Sequence, residues 1–173
     1  MKKTVLSLFL ASFALFGYAK PDFEIPEVKK YENAEECRKD NDVALKTAKF
    51  FFDAKLPEDL PWVKKANAFV LVWLTESDDI MVTIDETRCP FMKCDNKDIR
   101  SQMLVAYLSG CVVYCLENKQ KEHNFDMHFF ALTKTLEYYE KNKSISGSDK
   151  FMDKLLNDSK KSSFKAKEQK KFK

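Results

Sequence analysis

Glycine is scarce in this chain, with three residues among 173, and only Gly110 and Gly147 lie beyond residue 20. β-Sandwiches and β-barrels need many tight turns, and such turns depend on glycine. The same scarcity argues against a glycine-rich loop that binds nucleotide phosphates. Proline is absent after Pro90, so no proline interrupts a helix in the second half of the chain. Together these absences predict an all-α protein.

Histidine is scarcer still, which limits the catalytic and metal-binding sites that the chain can build. The two histidines, His123 and His128, are spaced so that they do not share one face of a helix. We expect them to be solvated or to cap a helix. With Glu122 and Asp126 they could alternatively form a metal or acid–base cluster. No HExxH, Ser-His-Asp or Cys-His pattern stands out, so we predict no catalytic residue, no metal ligand and no cofactor.

The N-terminal segment has the pattern of a secretory signal peptide. Two lysines precede an apolar run over residues 4–18, and Gly17 and Ala19 place small residues before a cleavage site. The run is too short to span a bilayer comfortably. We therefore predict that residues 1–19 are removed and that an exported protein, periplasmic or extracellular, begins at Lys20. No transmembrane span is expected in the mature chain.

Hydrophobic spacing predicts a single helical domain over residues 20–158, built from four to five helices. Asn33 begins the first of them with a capping-box pattern. Pro61 lies in the first turn of another helix, for which Asp59 is the expected cap. One short β-branched segment, residues 80–84, is expected to be extended. The predicted helices cover residues 34–55 with a break near 40–42, and residues 61–74, 97–118, 124–142 and 151–156.

The helix over residues 97–118 is apolar nearly all round, which predicts a central position with neighbours on several sides. Short links between the helices favour a helical bundle or stacked helical hairpins. The pair 97–118 and 124–142 is loosely similar to a tetratricopeptide-type hairpin. No second copy follows at a fixed period, which argues against a repeat array.

Three short motifs mark this layout. They are Trp73-Leu74-Thr75 at a helix end before the extended segment, and Tyr107-Leu108-Ser109-Gly110 leading to Leu116-Glu117-Asn118. In these motifs the chain resembles a loose group of small exported bacterial proteins with no assigned activity. The resemblance covers most of the mature chain and brings no functional residues with it.

Five cysteines remain after the predicted signal peptide: Cys37, Cys89, Cys94, Cys111 and Cys115. In an oxidising compartment an odd count leaves at least one thiol unpaired or shared between chains. We expect a loop disulfide between Cys89 and Cys94, because Pro90 helps the chain turn back. Cys111 and Cys115 lie in the most apolar helix and are expected to pack as small hydrophobic side chains. The alternative is a zinc site in which Cys89, Cys94, Cys111 and Cys115 are the four thiolate ligands.

Positive charge is concentrated at the C-terminus. Residues 159–173 contain a single acid, Glu168, and two phenylalanines, Phe164 and Phe172. We expect this tail to be disordered and to contribute little to the fold. The alternative is a surface for anionic partners such as nucleic acid, acidic glycans or a membrane, without specific nucleic-acid recognition. The candidate anion-binding residues are Lys160, Lys161, Lys165, Lys167, Lys170, Lys171 and Lys173.

The sequence predicts a well-formed helical core and no group of polar side chains that would converge on one site, and this favours a binding protein over an enzyme. We expect an exported all-helical protein that binds a small ligand or another protein and has no catalytic activity. The alternative is a metal-binding protein or an enzyme that uses the cysteines and histidines.

Overall fold

The computed structural model describes residues 21–172, so the predicted signal peptide lies outside the described residues. The described chain is all-helical, without a β-strand, which confirms the predicted fold class. It contains seven α-helices rather than four or five. They are α1 (Ala34–Arg38), α2 (Asn41–Asp53), α3 (Leu60–Glu76), α4 (Lys97–Asn118), α5 (Phe125–Ser146), α6 (Lys150–Ser159) and α7 (Phe164–Lys171), with a 3₁₀ turn over Pro90–Lys93.

Local side-chain caps explain where several helices begin. Asn33, Asn96, Asn124 and Asp149 each accept a hydrogen bond from a backbone N–H in the first turn of the following helix. The break near residues 40–42 separates α1 from α2, as predicted. Asp59 does not cap α3, because its carboxylate accepts from the backbone N–H of Lys55 at 2.7 Å.

Helix α4 lies at the centre of the fold, which confirms the prediction for residues 97–118. It contacts α2, α3, α5 and the 3₁₀ turn. Gly110 allows the close approach to α5, because a β carbon there would lie 2.8 Å from the Cα atom of Ala131. Of the described helices, α4 alone is long and apolar enough to cross a membrane, and 61% of its most apolar window is buried. Core helices of soluble proteins pass the same test of length and composition.

The segment 80–84, predicted to be extended, forms no strand within the described part of the chain. Two backbone groups attach it to the turn between α4 and α5. The N–H of Met81 donates to the carbonyl of Lys121 at 2.9 Å, and the N–H of Thr83 donates to Nδ1 of His123 at 3.0 Å.

The C-terminal tail differs from the disordered segment expected from its lysines. Residues 164–171 form α7, and Phe164 and Glu168 are buried. Phe164, Glu168 and Phe172 are four residues apart and therefore share one face of this helix. On that face the ring of Phe164 packs against Phe129, and the ring of Phe172 packs against Phe125. Aromatic contacts of this kind stabilise the docked tail, and the lysines occupy its outer side.

Candidate functional site

A buried cluster of three polar rings lies where α4, α5 and the turn between them meet. Tyr107 projects from α4, His128 from the first turns of α5, and His123 from the turn. The hydroxyl of Tyr107 is 3.0 Å from Nε2 of His123 and 2.8 Å from Nδ1 of His128. Tyr107 and His128 are almost fully buried. Both histidines were predicted to be solvated or capping, and for His128 that prediction is wrong.

The positions of the hydrogens in this cluster follow from its partners. Because Nδ1 of His123 accepts from the N–H of Thr83, the neutral ring carries its hydrogen on Nε2 and donates it to Tyr107. The tyrosine hydroxyl then donates to Nδ1 of His128, whose own hydrogen is left on Nε2. The result is a hydrogen-bonded chain with one direction, from Thr83 through His123 and Tyr107 to His128.

Burial keeps both imidazoles neutral at neutral pH. The pKa values of His123 and His128 are lowered to about 4, mainly by burial and in addition by the positive charge of Arg88, while Asp85 has the opposite effect. Burial also raises the pKa of the Tyr107 hydroxyl well above its usual range. All three groups are therefore uncharged at pH 7, and their hydrogen bonds hold α4, α5 and the segment 80–84 together.

The C-terminal tail covers this cluster. The ring centroid of Phe172 is 5.2 Å from that of His128 and 5.6 Å from that of His123. The guanidinium of Arg88 lies 4.8 Å from the same phenylalanine ring and also pairs with Asp85. The side of both imidazole rings that faces the tail is therefore in contact with the ring of Phe172.

The cysteines are free and buried, so the predicted Cys89–Cys94 disulfide is wrong. The residues between them form the 3₁₀ turn, in which Cys94 N–H donates to the carbonyl of Phe91 at 3.0 Å. The prediction that Cys111 and Cys115 are buried is confirmed.

Burial raises the pKa of the Cys89 and Cys94 thiols to about 12 and of Cys37 and Cys115 to about 11. Thiols with such pKa values are protonated at neutral pH and react slowly. Within residues 21–172, no three His, Cys, Asp or Glu side chains are arranged to hold a metal ion.

The candidate anion-binding lysines do not all remain available to a partner. Lys165 lies 5.2 Å from the ring of Phe129, and Lys173 lies outside the described residues. Three others form ion pairs with carboxylates, namely Lys160 with Glu140, Lys161 with Asp158 and Lys171 with Glu168. These pairs reduce the net positive field of the tail, and anion binding by it stays a prediction.

An apolar cleft of about 320 Å³ opens between α2, α3, α4 and α5. The rings of Phe51 and Tyr138 are stacked at the cleft, with centroids 4.5 Å apart and planes 19° from parallel. Val63 adds an aliphatic wall from α3, and Leu60 and Ile145 are partly exposed at the rim. The size and lining are typical of a site for a small molecule, for which volumes of roughly 300–1,000 Å³ are usual.

Two amides give this cleft a polar end. Asn67 on α3 and Gln102 on α4 both line it, and their side-chain oxygens, Oδ1 and Oε1, are buried. Neither oxygen has a hydrogen-bond partner among the described residues. Neither oxygen has accessible surface although the cleft is open, so the remaining part of each amide side chain forms the polar lining of the cleft. The sequence did not predict this site, because each amide stands alone in its own helix.

No protein-family model matches this chain, and neither a curated protein nor a solved structure is similar enough to count as a match. The geometry of the Tyr107–His123–His128 cluster and of the apolar cleft is therefore the basis for proposing a function.

Proposed function

We propose that this is an exported, non-catalytic protein that binds a small ligand in the cleft between α2, α3, α4 and α5. The observation that carries the proposal is an open, mainly apolar cleft of about 320 Å³ that is lined by the stacked Phe51–Tyr138 pair and by the amide side chains of Asn67 and Gln102. Ligand sites combine a mainly apolar lining with a few polar groups that orient the ligand.

The state of the titratable groups supports binding over the alternative of catalysis by cysteines and histidines. The histidines bond to Tyr107 and are covered by Phe172. The buried thiols are protonated at neutral pH, whereas a nucleophilic cysteine needs a lowered pKa. We assign both sets of side chains a structural role in this proposal.

Export is supported by the pattern of residues 1–19, and buried thiols with raised pKa values are compatible with an oxidising compartment. We expect protein recovered from the periplasm or medium to have an intact mass that begins at Lys20. Mature material that retains Met1 would contradict the export part of the proposal.

Ligand binding can be tested with N-phenyl-1-naphthylamine, a dye whose fluorescence rises in apolar surroundings. We expect saturable binding to the wild-type protein. Ser146 lines the cleft at the end of α5, and the Ser146→Trp variant should fill the entrance and weaken dye binding by about tenfold or more.

Ser144→Trp is the matched control, because Ser144 is exposed on the same helix and does not line the cleft. It should bind the dye as the wild type does. Unsaturable fluorescence, or an equal loss in both variants, would overturn the assignment of the cleft as the binding site.

A further inference from the structure

We infer that Lys141 is a positioning residue that fixes the shape of the cleft and thereby selects ligands by width. Lys141 lies on α5, and its ammonium binds three backbone carbonyls at the end of α2. These carbonyls directly follow Phe51, whose ring stacks on Tyr138 at the cleft. The inference rests on the proposed function and concerns how the same cleft discriminates between ligands.

The end of α2 offers carbonyl groups that its own helix does not use. The N–H of Ala54 donates to the carbonyl of Phe50 at 2.9 Å and ends the helical ladder. Beyond it, Nζ of Lys141 lies 2.9, 3.1 and 2.9 Å from the carbonyl oxygens of Phe52, Asp53 and Ala54. Helix α2 has no basic residue in its own last turn. A lysine of another helix therefore supplies the positive charge that stabilises a helix C-terminus.

The capped turn continues directly into a wall of the cleft. Leu56 lines the cleft after α2, and Leu60 lines it at the start of α3. Between them the chain is fixed by Asp59, whose carboxylate accepts from the N–H of Lys55 at 2.7 Å. The wall between α2 and α3 is thus held at its α2 end by Lys141 and at its α3 end by Asp59.

The same lysine lies close to the α5 wall of the cleft. Tyr138 and Lys141 are three residues apart and therefore share one side of α5. The ring of Tyr138 contacts those of Phe51 and Phe52, with centroids 4.5 and 6.5 Å away. Aromatic pairs tolerate a range of offsets and distances, whereas hydrogen bonds have a narrow range of lengths. The ammonium therefore determines how far the end of α2 stands from α5, and without it the cleft can widen.

The test compares two alcohols with the same head group and different widths. 1-Decanol is linear, and 1-adamantanemethanol is globular. Both compete with N-phenyl-1-naphthylamine, and the ratio of their two affinities is the measured quantity. Lys141→Met keeps an unbranched side chain but removes the charge and the donors. We expect the ratio to shift toward the globular alcohol by about threefold or more in this variant.

Two variants serve as controls. Lys141→Arg keeps a cation with N–H donors and should keep the wild-type ratio. Lys134→Met removes a lysine of the same helix that pairs with Glu137 at 2.8 Å and does not line the cleft, and it should also keep this ratio. The affinities are compared at a temperature at which all the proteins are folded. A purely structural role of Lys141 would lower the melting temperature and leave the ratio unchanged.

The outcomes separate this inference from the proposed function. An unchanged ratio in Lys141→Met, or a shift toward the linear alcohol, would overturn the role of Lys141 and leave the cleft as the binding site. An equal shift in Lys141→Arg or in Lys134→Met would also overturn it, because the hydrogen bonds of the ammonium would then not be the cause. No binding of the dye or of either alcohol to the wild-type protein would overturn the proposed function itself.

Discussion

The Tyr107→Ala variant is expected to lose about 5 kcal/mol or more of the free energy of unfolding. Removing a fully buried aromatic side chain from a core costs about 3–5 kcal/mol, and Tyr107 is fully buried. The change also leaves Nε2 of His123 and Nδ1 of His128 without their shared partner, at about 1–3 kcal/mol for a buried polar group. Native domains are stable by about 5–15 kcal/mol in total, so this variant should be close to unfolding.

The Tyr107→Phe variant separates the hydrogen bonds from the packing, because it keeps the ring and removes only the hydroxyl. We expect a loss of about 1–3 kcal/mol in urea unfolding. Tyr114→Phe is the matched control, since Tyr114 lies on the same helix and is only half-buried. It should change the free energy of unfolding by less than about 0.5 kcal/mol. Equal losses in the two variants would show that the hydroxyl of Tyr107 does not connect the histidines.

Acid is expected to destabilise the protein between about pH 6.5 and pH 4. The pKa values of His123 and His128 are lowered from 6.5 to about 4 in the folded state. The unfolded chain therefore binds more protons across this interval, and the free energy of unfolding falls as the pH falls. For a histidine as buried as His128, the pKa shift corresponds to on the order of 3 kcal/mol of the free energy of unfolding. This stability is fully present above about pH 6.5 and is lost by about pH 4.

The structure of the cluster explains why protonation is costly. Arg88 and Lys171 add positive charge near His128, and Asp85 offsets only part of it. A proton on Nδ1 of His123 would also face the N–H of Thr83 and break that hydrogen bond. Acid should therefore loosen the segment 80–84 first.

The measurement is urea unfolding at a series of pH values between 7.5 and 4.5. The carboxylates with lowered pKa values, such as Asp79, Asp85 and Asp149, lose their contribution only below their ordinary pKa of 3.8, so they do not act in this range. His128→Asn keeps an acceptor for Tyr107 but does not titrate, and its stability should depend less on pH. An unchanged pH dependence in this variant would contradict the assignment to His128.

Helix positions were predictable from the sequence because their causes are local. The helix over residues 97–118 was predicted with the bounds that α4 has, and Asn33 was predicted as a cap from the residues next to it. The break between α1 and α2 follows from a run of polar residues near 40–42. In each case the pattern and its consequence lie within a few residues of each other.

The candidate sites were not predictable in the same way. His123 and His128 look like surface residues in the sequence, and only the crossing of α4 and α5 brings Tyr107 between them. The tail looks disordered by composition, yet Phe164 and Phe172 find aromatic partners on α5. The spacing of Phe164 and Phe172 is compatible with one helix face, but a segment this short and rich in lysine does not show by itself that this face meets α5.

The sequence by itself determined an all-α fold with a central apolar helix, because glycine and proline are scarce and hydrophobic residues recur at helical spacing. Only the tertiary structure decided which polar side chains are buried together. Cys89 and Cys94 flank a 3₁₀ turn as free buried thiols, and Asn67 and Gln102 line one cleft only because α3 packs against α4. Whether a side chain is buried, and which side chains it contacts, depends on how the helices pack against one another, and neither property follows from a single helix or loop.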